Sequence, residues 1–509
     1  MTIWLRIKLL AAIAFMLGLH PSLAAGDFDV RSYGAVADGK TLNTGAIQKA
    51  IDAAASAKGG RVIMPPGIYL SGSIRLRSHV TLHLEKGATL LGSTDVSHYQ
   101  RLNFLALVMA NEQENLGISG EGVIDGQGKI LAEAVIAPIK PGNFPDAGEA
   151  KRPVLINFRN CRGITVRDVT LRESACWVQL YRDCDRVLIE NITVRTMAAI
   201  TNDGLDIDGC SDVLVRGCDI DSEDDAICLK SSRRLCENVV IENCRIRSSC
   251  NALKLGTASA KGFKNITVRN LEIYDTYLSG IALQIVDGGV MENIHISKVK
   301  MTTTNNPIFI RLGHRNSGGP VGAIRGVSIS DVTAEIPKRR KSEMNKFPSY
   351  WRHACTTLIT GSITGLPGHP VRGVTLRNIA ITYGGIGNDS KPDHILLKDL
   401  KQVPECAPNY PESKMFGVLP AWGLYCRHVD GLLLDNVTLK VSASDYRSAA
   451  IFDKVCNLRI KELNILSAGK EPPMVFNDVT RVTILNSKGP AGRVKWIEKR
   501  GGGVEDPPR

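Results

Sequence analysis

Short apolar runs recur along this chain with a regular rhythm. The pattern is apolar-x-apolar, then Asn or Asp, then apolar-x-apolar. It reads CRGITVRDVTL from Cys161, CDRVLIENITV from Cys184, CSDVLVRGCDI from Cys210 and CENVVIENCRI from Cys236. It continues as FKNITVRNLEI from Phe263, MENIHISKVKM from Met291, IRGVSISDVTA from Ile324, VRGVTLRNIAI from Val371, VDGLLLDNVTL from Val429 and VCNLRIKELNI from Val455. The first six starts, from Cys161 to Met291, are almost evenly spaced. A repeat of about 20–50 residues built from β-rich pieces indicates a solenoid or a propeller. Alternation within each run suits strands that turn every second side chain inward. The runs are too short and closely spaced for four-stranded blades, so the pattern predicts an all-β, single-stranded right-handed parallel β-helix. Successive coils of such a stack lie about 4.8 Å apart.

The spacing then widens at each step from Met291 to Ile324, Val371 and Val429. The extra length predicts loops at 337–355 and 384–422, both rich in Pro, Lys and polar residues. Insertions on a solenoid often collect beside its binding face. If they close one end of a groove they favour attack at chain ends; internal and terminal attack both remain open.

The segment 1–25 has the pattern of an export signal. Arg6 and Lys8 precede the apolar run Leu9 to Leu19, and Ser22-Leu23-Ala24 offers small residues for cleavage. The run is too short to span a bilayer, and no other stretch reads as transmembrane. The expected divisions are a signal peptide at 1–25, one β-helix domain at 26–487 and a poorly ordered Gly- and Pro-containing tail at 488–509. The expected location is secreted or periplasmic. Ala46, Ile47, Ala50, Ile51 and Ala54 share one helical face and Gly59-Gly60 follows, which predicts an N-terminal helix capping the first coil.

The 509 residues include 48 Gly and 13 Cys, with 5% aromatics. Export permits disulfides. Yet Cys161, Cys184, Cys210 and Cys236 each open a repeat, and Cys218 and Cys244 share a later position, so a ladder of small buried side chains is the preferred reading. No cysteine group has zinc-ligand spacing, and no metal or cofactor is expected. The formal net charge of +12 fits an acidic polymer as partner. No nucleic-acid motif is evident, and a monomer is expected.

Candidate chemistry gathers between Thr201 and Gly256. TNDGLDIDG holds Asp203, Asp206 and Asp208, SEDDAICLKS holds Asp224 and Asp225, and CNALKLGT holds Asn251 and Lys254. The steps from Asp203 to Asp224 and from Asp224 to Asn251 are each close to one repeat. One period apart, these groups stack into a cluster. Clustered carboxylates on an exported scaffold suggest acid–base cleavage of a polysaccharide. Asp206, Asp208, Asp212, Asp219 and Asp221 read better as turn caps. The Asn-x-Ser/Thr triplets at Asn191, Asn265 and Asn436 read as stacked Asn turns rather than glycosylation sites.

These residues resemble glycoside hydrolase family 28, the polygalacturonase family, over nearly all of the chain beyond the signal. DVRSYGAVADGKTLNTGAIQKAID, VIMPPGIYLSGSIRLRSHVTLHLEKGATL, GEGVIDGQG and LRESACWVQL are similar to that family's sequences. Its N-T-D-G-x-D motif is matched by Thr201 to Asp206 with the first two residues swapped, and its paired aspartates by Asp224 and Asp225. The resemblance implies a divergent member that hydrolyses glycosidic bonds with inversion, with Asp224 as general acid and Asp203 and Asp225 as water-activating bases. Three packed carboxylates cannot all ionise cheaply, so one pKa should rise. Inversion calls for carboxyl groups about 6.5 to 9.5 Å apart. Asp224 and Asp225 can both face the cleft only at a bend.

The family's Gly-His-Gly falls on Cys250-Asn251-Ala252, and its Arg-x-Lys on Ala282-Leu283-Gln284. Those basic groups help hold a uronate carboxylate, which Ala and Gln cannot pair with. Asn251, Lys254, Gln284 and Arg311 are therefore candidate substrate contacts, with His314 a weaker one. Trp177 and Tyr181 are candidates to pack against sugar rings, and a core role is equally open for both. The implied substrate is a pectin-like, uronate-containing polysaccharide or oligosaccharide. Two alternatives stay open: a calcium-dependent β-helical lyase with Lys254 as proton abstractor, and a non-catalytic glycan-binding β-helix.

Overall fold

The computed structural model describes residues 26–501 apart from 136–147, 317, 338–359, 386–394, 396, 468 and 493–494. The expected signal peptide and the 337–355 insertion beyond Pro337 lie outside the described residues. The chain winds into a right-handed parallel β-helix. Right-handed winding is the sense in which twisted parallel strands connect.

Each coil contributes strands to three parallel stacks. One stack runs through Arg162–Arg167, Asp185–Glu190 and Ser211–Arg216. A second runs through Thr170–Arg172, Thr193–Thr196 and Asp219–Ser222. The third runs through Val154–Arg159, Gln179–Arg182, Leu205–Asp208, Ile227–Lys230 and Leu253–Leu255. All ten sequence repeats are successive coils in one register. The second residue of each copy pairs with the next in the series Arg162, Asp185, Ser211, Glu237, Lys264, Glu292, Arg325, Arg372, Asp430 and Cys456. The inward ladder Ile164, Val187, Val213, Val239, Ile266, Ile294, Val327, Val374, Leu432 and Leu458 is buried throughout. Burying one such side chain contributes about 1.5–3 kcal/mol, so the stack holds itself together coil by coil.

The turns explain the other repeated letters. Asn238, Asn265 and Asn293 sit at φ 54°, 55° and 58°, a left-handed conformation that Asn tolerates. Each side-chain amide donates to its predecessor, Asn238 to Asp212 at 3.1 Å, Asn265 to Asn238 at 3.0 Å and Asn293 to Asn265 at 2.6 Å. Asn191 and Asn436 stack in the same way on Asp168 and Asn378. The cysteines form the expected ladder, with no disulfide among the described residues.

A helix at Thr44–Ser56 closes the first coil with Ile47, Ala50, Ile51 and Ala54 buried. Gly59 follows it at φ 128°, where a Cβ would lie 2.8 Å from the His79 carbonyl oxygen. At the other end part of the stretch expected to be poorly ordered is built into the stack, while 502–509 lie outside the described residues. Ile497–Arg500 is a strand paired with Met474–Asn477, and Trp496 and Ile497 pack on the core.

Candidate active site

The site forms where the second stack turns into the third. Asp203 lies in the turn before Leu205–Asp208. Asp224 and Asp225 lie in the bend between Asp219–Ser222 and Ile227–Lys230, as required if both are to face one cleft. The Ser222 and Ser248 hydroxyls both donate to the Asp224 carbonyl oxygen at 2.7 Å, which fixes that bend. Backbone bonds knit the turns together, from Gly204 N to the Asp225 carbonyl at 2.9 Å and from Ala226 N to the Asn251 carbonyl at 2.9 Å. A Cβ on Gly204 would stand 2.7 Å from the Ala226 carbonyl oxygen, so glycine beside Asp203 lets adjacent turns close up. Asn202 braces the Asp203 turn by donating to the Ser174 and Cys176 carbonyls at 2.9 and 2.7 Å.

The three predicted carboxylates converge. One oxygen of Asp203 and one of Asp225 lie within 4.8 Å of each other, and so do oxygens of Asp224 and Asp225. These closest approaches are shorter than the separation expected for inversion, because neighbouring turns stack directly. Spacing alone therefore does not select the stereochemistry.

The environments push these acids apart. Burial raises the Asp224 pKa, the Asp225 charge raises it further, and it stands at about 7. Burial also works against ionised Asp225, but Lys254 reverses the outcome. Its ammonium lies 2.7 Å from Asp225 Oδ2, and the Asn251 amide donates to Oδ1 at 2.8 Å, so the Asp225 pKa is lowered. Asp203 is raised by burial and by Asp206. Both share Lys230, whose ammonium is 2.6 Å from Asp206 and 3.3 Å from Asp203. One ammonium between two buried carboxylates favours a shared proton.

Sequence reasoning missed Lys230. It lies on a strand at the end of SEDDAICLKS, a run read only for its aspartates, although its position one repeat beyond Asp206 and Asp208 was a signal. Asp206 is corrected from a turn cap to a fully buried partner of Lys230 on a strand. Asp219 and Asp221 likewise pair with arginines, Arg195 and Arg247. Asp212 accepts from Asn238, and Asp208 pairs with Arg182 while also accepting from Ser232 N.

The expected substrate contacts prove to be engaged with protein groups. Asn251 is fully buried between Asp225 and the backbone N–H of Ser279. Lys254 is held by Asp225, with Tyr410 Oη at 3.4 Å and Glu412 Oε1 at 3.8 Å. Gln284 is buried and donates to the Pro411 carbonyl at 2.8 Å. Arg311 is buried beneath the Glu405 carbonyl and the Phe416 ring, and burial lowers its pKa to about 10. His314 pairs with the Gly319 carbonyl. Tyr181 is a core residue packed edge-on against Phe158. Trp177 is half-buried, with Phe104 on one side and Lys230 Nζ 4.4 Å from its ring centroid. Tyr410 and Glu412 were not foreseen, because the 384–422 insertion brings them from far along the chain.

A family model described as glycosyl hydrolases family 28 matches residues 56–395. An exo-poly-alpha-D-galacturonosidase of Dickeya chrysanthemi is 23% identical over 61% of this chain and 63% of its own length, so the chain spans less than two thirds of that relative. A probable polygalacturonase of Vitis vinifera is 24% identical over 69% of this chain and 73% of its own length. Among solved structures, the exopolygalacturonase of Thermotoga maritima shares the fold with a TM-score of 0.59 and 22% identity, covering 73% of this chain and 91% of that one. With its parallel β-helical stack and its clustered aspartates, the chain belongs to glycosyl hydrolases family 28 and is a glycoside hydrolase.

Proposed function

We propose that this enzyme is exported and cleaves a pectin-like, uronate-containing glycan by inverting hydrolysis, with Asp224 as general acid and Asp225 as principal base. One observation carries the assignment: two adjacent carboxyls are driven in opposite directions, Asp224 to about 7 and Asp225 below its ordinary range. Opposed titration of neighbouring acids marks an acid–base pair. Asp224 holds its proton below about pH 7 and delivers it to the departing glycosidic oxygen. Asp225 stays ionised and draws a proton from water. Oxygens within 4.8 Å on Asp203 and Asp225 suit one water bridging both at about 2.8 Å each. Asp203 orients that water while Lys230 balances the charge it shares with Asp206. Lys254 and Asn251 act through Asp225, positioning it and keeping it ionised.

The lyase reading is less well supported. Lys254 is held by Asp225 and its pKa is raised, the wrong direction for a proton abstractor. The candidate donor groups join Asp203 and Asp225 with Cys228, or Asp224 and Asp225 with Cys250. Thiol sulfur is not a calcium ligand.

The uronate preference rests on the family relatives' galacturonate-directed names and on the +12 charge. Export rests on the sequence of residues 1–25. The test is a panel of defined pectic oligosaccharides with the product anomer followed by NMR. Inverted product at its first appearance supports the mechanism. Retained configuration removes the single-displacement step, and an unsaturated, calcium-dependent product restores the lyase.

A further inference from the structure

On the third stack, one outward column runs in register through Asn111, Arg159, Arg182, Asp208 and Lys230. The residues that alternate with it, Phe158, Tyr181 and Ile207, pack in the core. Arg159 therefore lies three coils from Lys230, about 14 Å at about 4.8 Å per coil, on the N-terminal side of the catalytic turns.

Elsewhere the fold gives adjoining arginines an acid each. Arg172 and Arg195 adjoin in register, and pair with Asp125 at 2.7 Å and Asp219 at 2.8 Å. Arg325 and Arg372 adjoin in the same way, and pair with Glu292 at 2.7 Å and Asp430 at 3.8 Å. Arg159 and Arg182 depart from this rule. Arg182 has Asp208 at 3.0 Å, but the neighbour on the far side of Arg159 is Asn111. The Arg159 guanidinium makes no hydrogen bond or ion pair with any described residue. Its Nε is withdrawn from water without a partner, while the residue as a whole is partly exposed. Like charges side by side on a sheet are destabilising, and a withdrawn donor without an acceptor adds to the cost. A carboxylate against the Arg159 fork relieves both.

We propose that Arg159, with Arg182 beside it, binds the carboxylate of a uronate unit of the glycan that lies away from the bond being cut. This rests on the uronate-glycan reading above and adds the cation that recognises the acid. Asn251, Lys254, Gln284 and Arg311 are engaged with protein groups, which leaves that recognition to another residue. Arg159 is a cation on the same stack whose charge no carboxylate of the described chain has taken. At its distance from Lys230 it acts on binding rather than on the chemical step. A guanidinium takes a carboxylate through two parallel bonds and stays charged throughout the working pH range.

The test compares the purified protein with Arg159→Gln on pectic oligosaccharides of graded length, as free acids and as methyl esters. Arg159→Gln should raise KM for long free-acid oligosaccharides by about tenfold with kcat nearly unchanged. The increase should vanish for the methyl esters and for oligosaccharides too short to reach the arginine. Arg159→Lys, which keeps the charge and loses the fork, should fall between the two. The unfolding midpoint of Arg159→Gln should equal or exceed that of the parent, because repulsion against Arg182 is relieved. A clearly lowered midpoint makes Arg159 a structural residue and overturns the proposal. So does an unchanged KM, or a KM raised equally for free acids and esters, and each of these leaves the hydrolase reading intact. Failure of the parent protein to cleave any pectic substrate overturns the uronate reading and the arginine's role together.

Discussion

At the scale of the residue, Lys254 decides which of two neighbouring acids carries the proton. Asp224 and Asp225 are both withdrawn from water, but only Asp225 receives an ammonium at 2.7 Å. Asp224→Asn removes the proposed proton donor and should lower kcat by about 10²–10⁴ with KM little changed, read by reducing-end release. The pH profile follows from the same pair. In the proposed mechanism the active form has Asp224 protonated and Asp225 ionised. The rate should therefore fall as pH rises through about 7, where Asp224 loses its proton. The acid limb should lie below the ordinary carboxylate range, because Asp225 must be protonated to lose its role. Lys254→Met leaves Asp225 buried without its cation. It should cost about 3–5 kcal/mol of stability in urea or thermal unfolding, as well as displacing the acid limb upward. Asp203, Asp224 and Asp225 were legible in the sequence because a motif names them and the repeat stacks them. Lys230, Tyr410 and Glu412 were not. Lys230 ends a run read only for its aspartates, and Tyr410 and Glu412 meet Lys254 only when the chain folds back from far beyond it.

At the scale of the element, one register governs strands, turns and cysteines alike. The ten copies were visible because each coil spends the same letters on the same places: apolar residues inward, Asn at the left-handed turn, Cys in tight interior corners. The 397–419 segment was less visible, since its apolar residues follow no period and find their partners, Ala282, Phe309, Tyr425, Ile451 and Val475, on the outer face of other coils. Asn265 both donates to Asn238 and accepts from Asn293 at φ 55°. Asn265→Val breaks the ladder and places a β-branched side chain in a left-handed turn. It should destabilise by about 1–2 kcal/mol, measured by denaturant midpoint. The cysteine ladder makes a sharper claim for a chain proposed to be exported. Twelve described cysteines are free. Thiol titration in denaturant without reductant should find at least those twelve, and adding reductant should leave the melting temperature unchanged. A reductant-dependent melt would show that packing at these positions has been replaced by bridges.

At the scale of the whole molecule, charge is distributed so that the polymer and the reacting bond meet different fields. The chain carries a formal +12, while the reaction centre gathers Asp203, Asp206, Asp224, Asp225 and Glu412 around Lys230 and Lys254. Attraction of an acidic glycan must then come from the wider surface, because the lysines at the centre are already paired. Surface attraction acts over a Debye length, about 8 Å at physiological ionic strength and about 3 Å at 1 M. Raising salt should therefore lower kcat/KM on polymeric uronate by about tenfold or more, through KM. The buried pairs that set the acid and base are screened far less, so kcat and its pH midpoint should hold. A short oligosaccharide, which touches little beyond the reaction centre, should show a weaker dependence than the polymer. Equal salt sensitivity for both would place the attraction at the reaction centre instead, and would require Lys230 or Lys254 to release its carboxylate and meet the substrate directly.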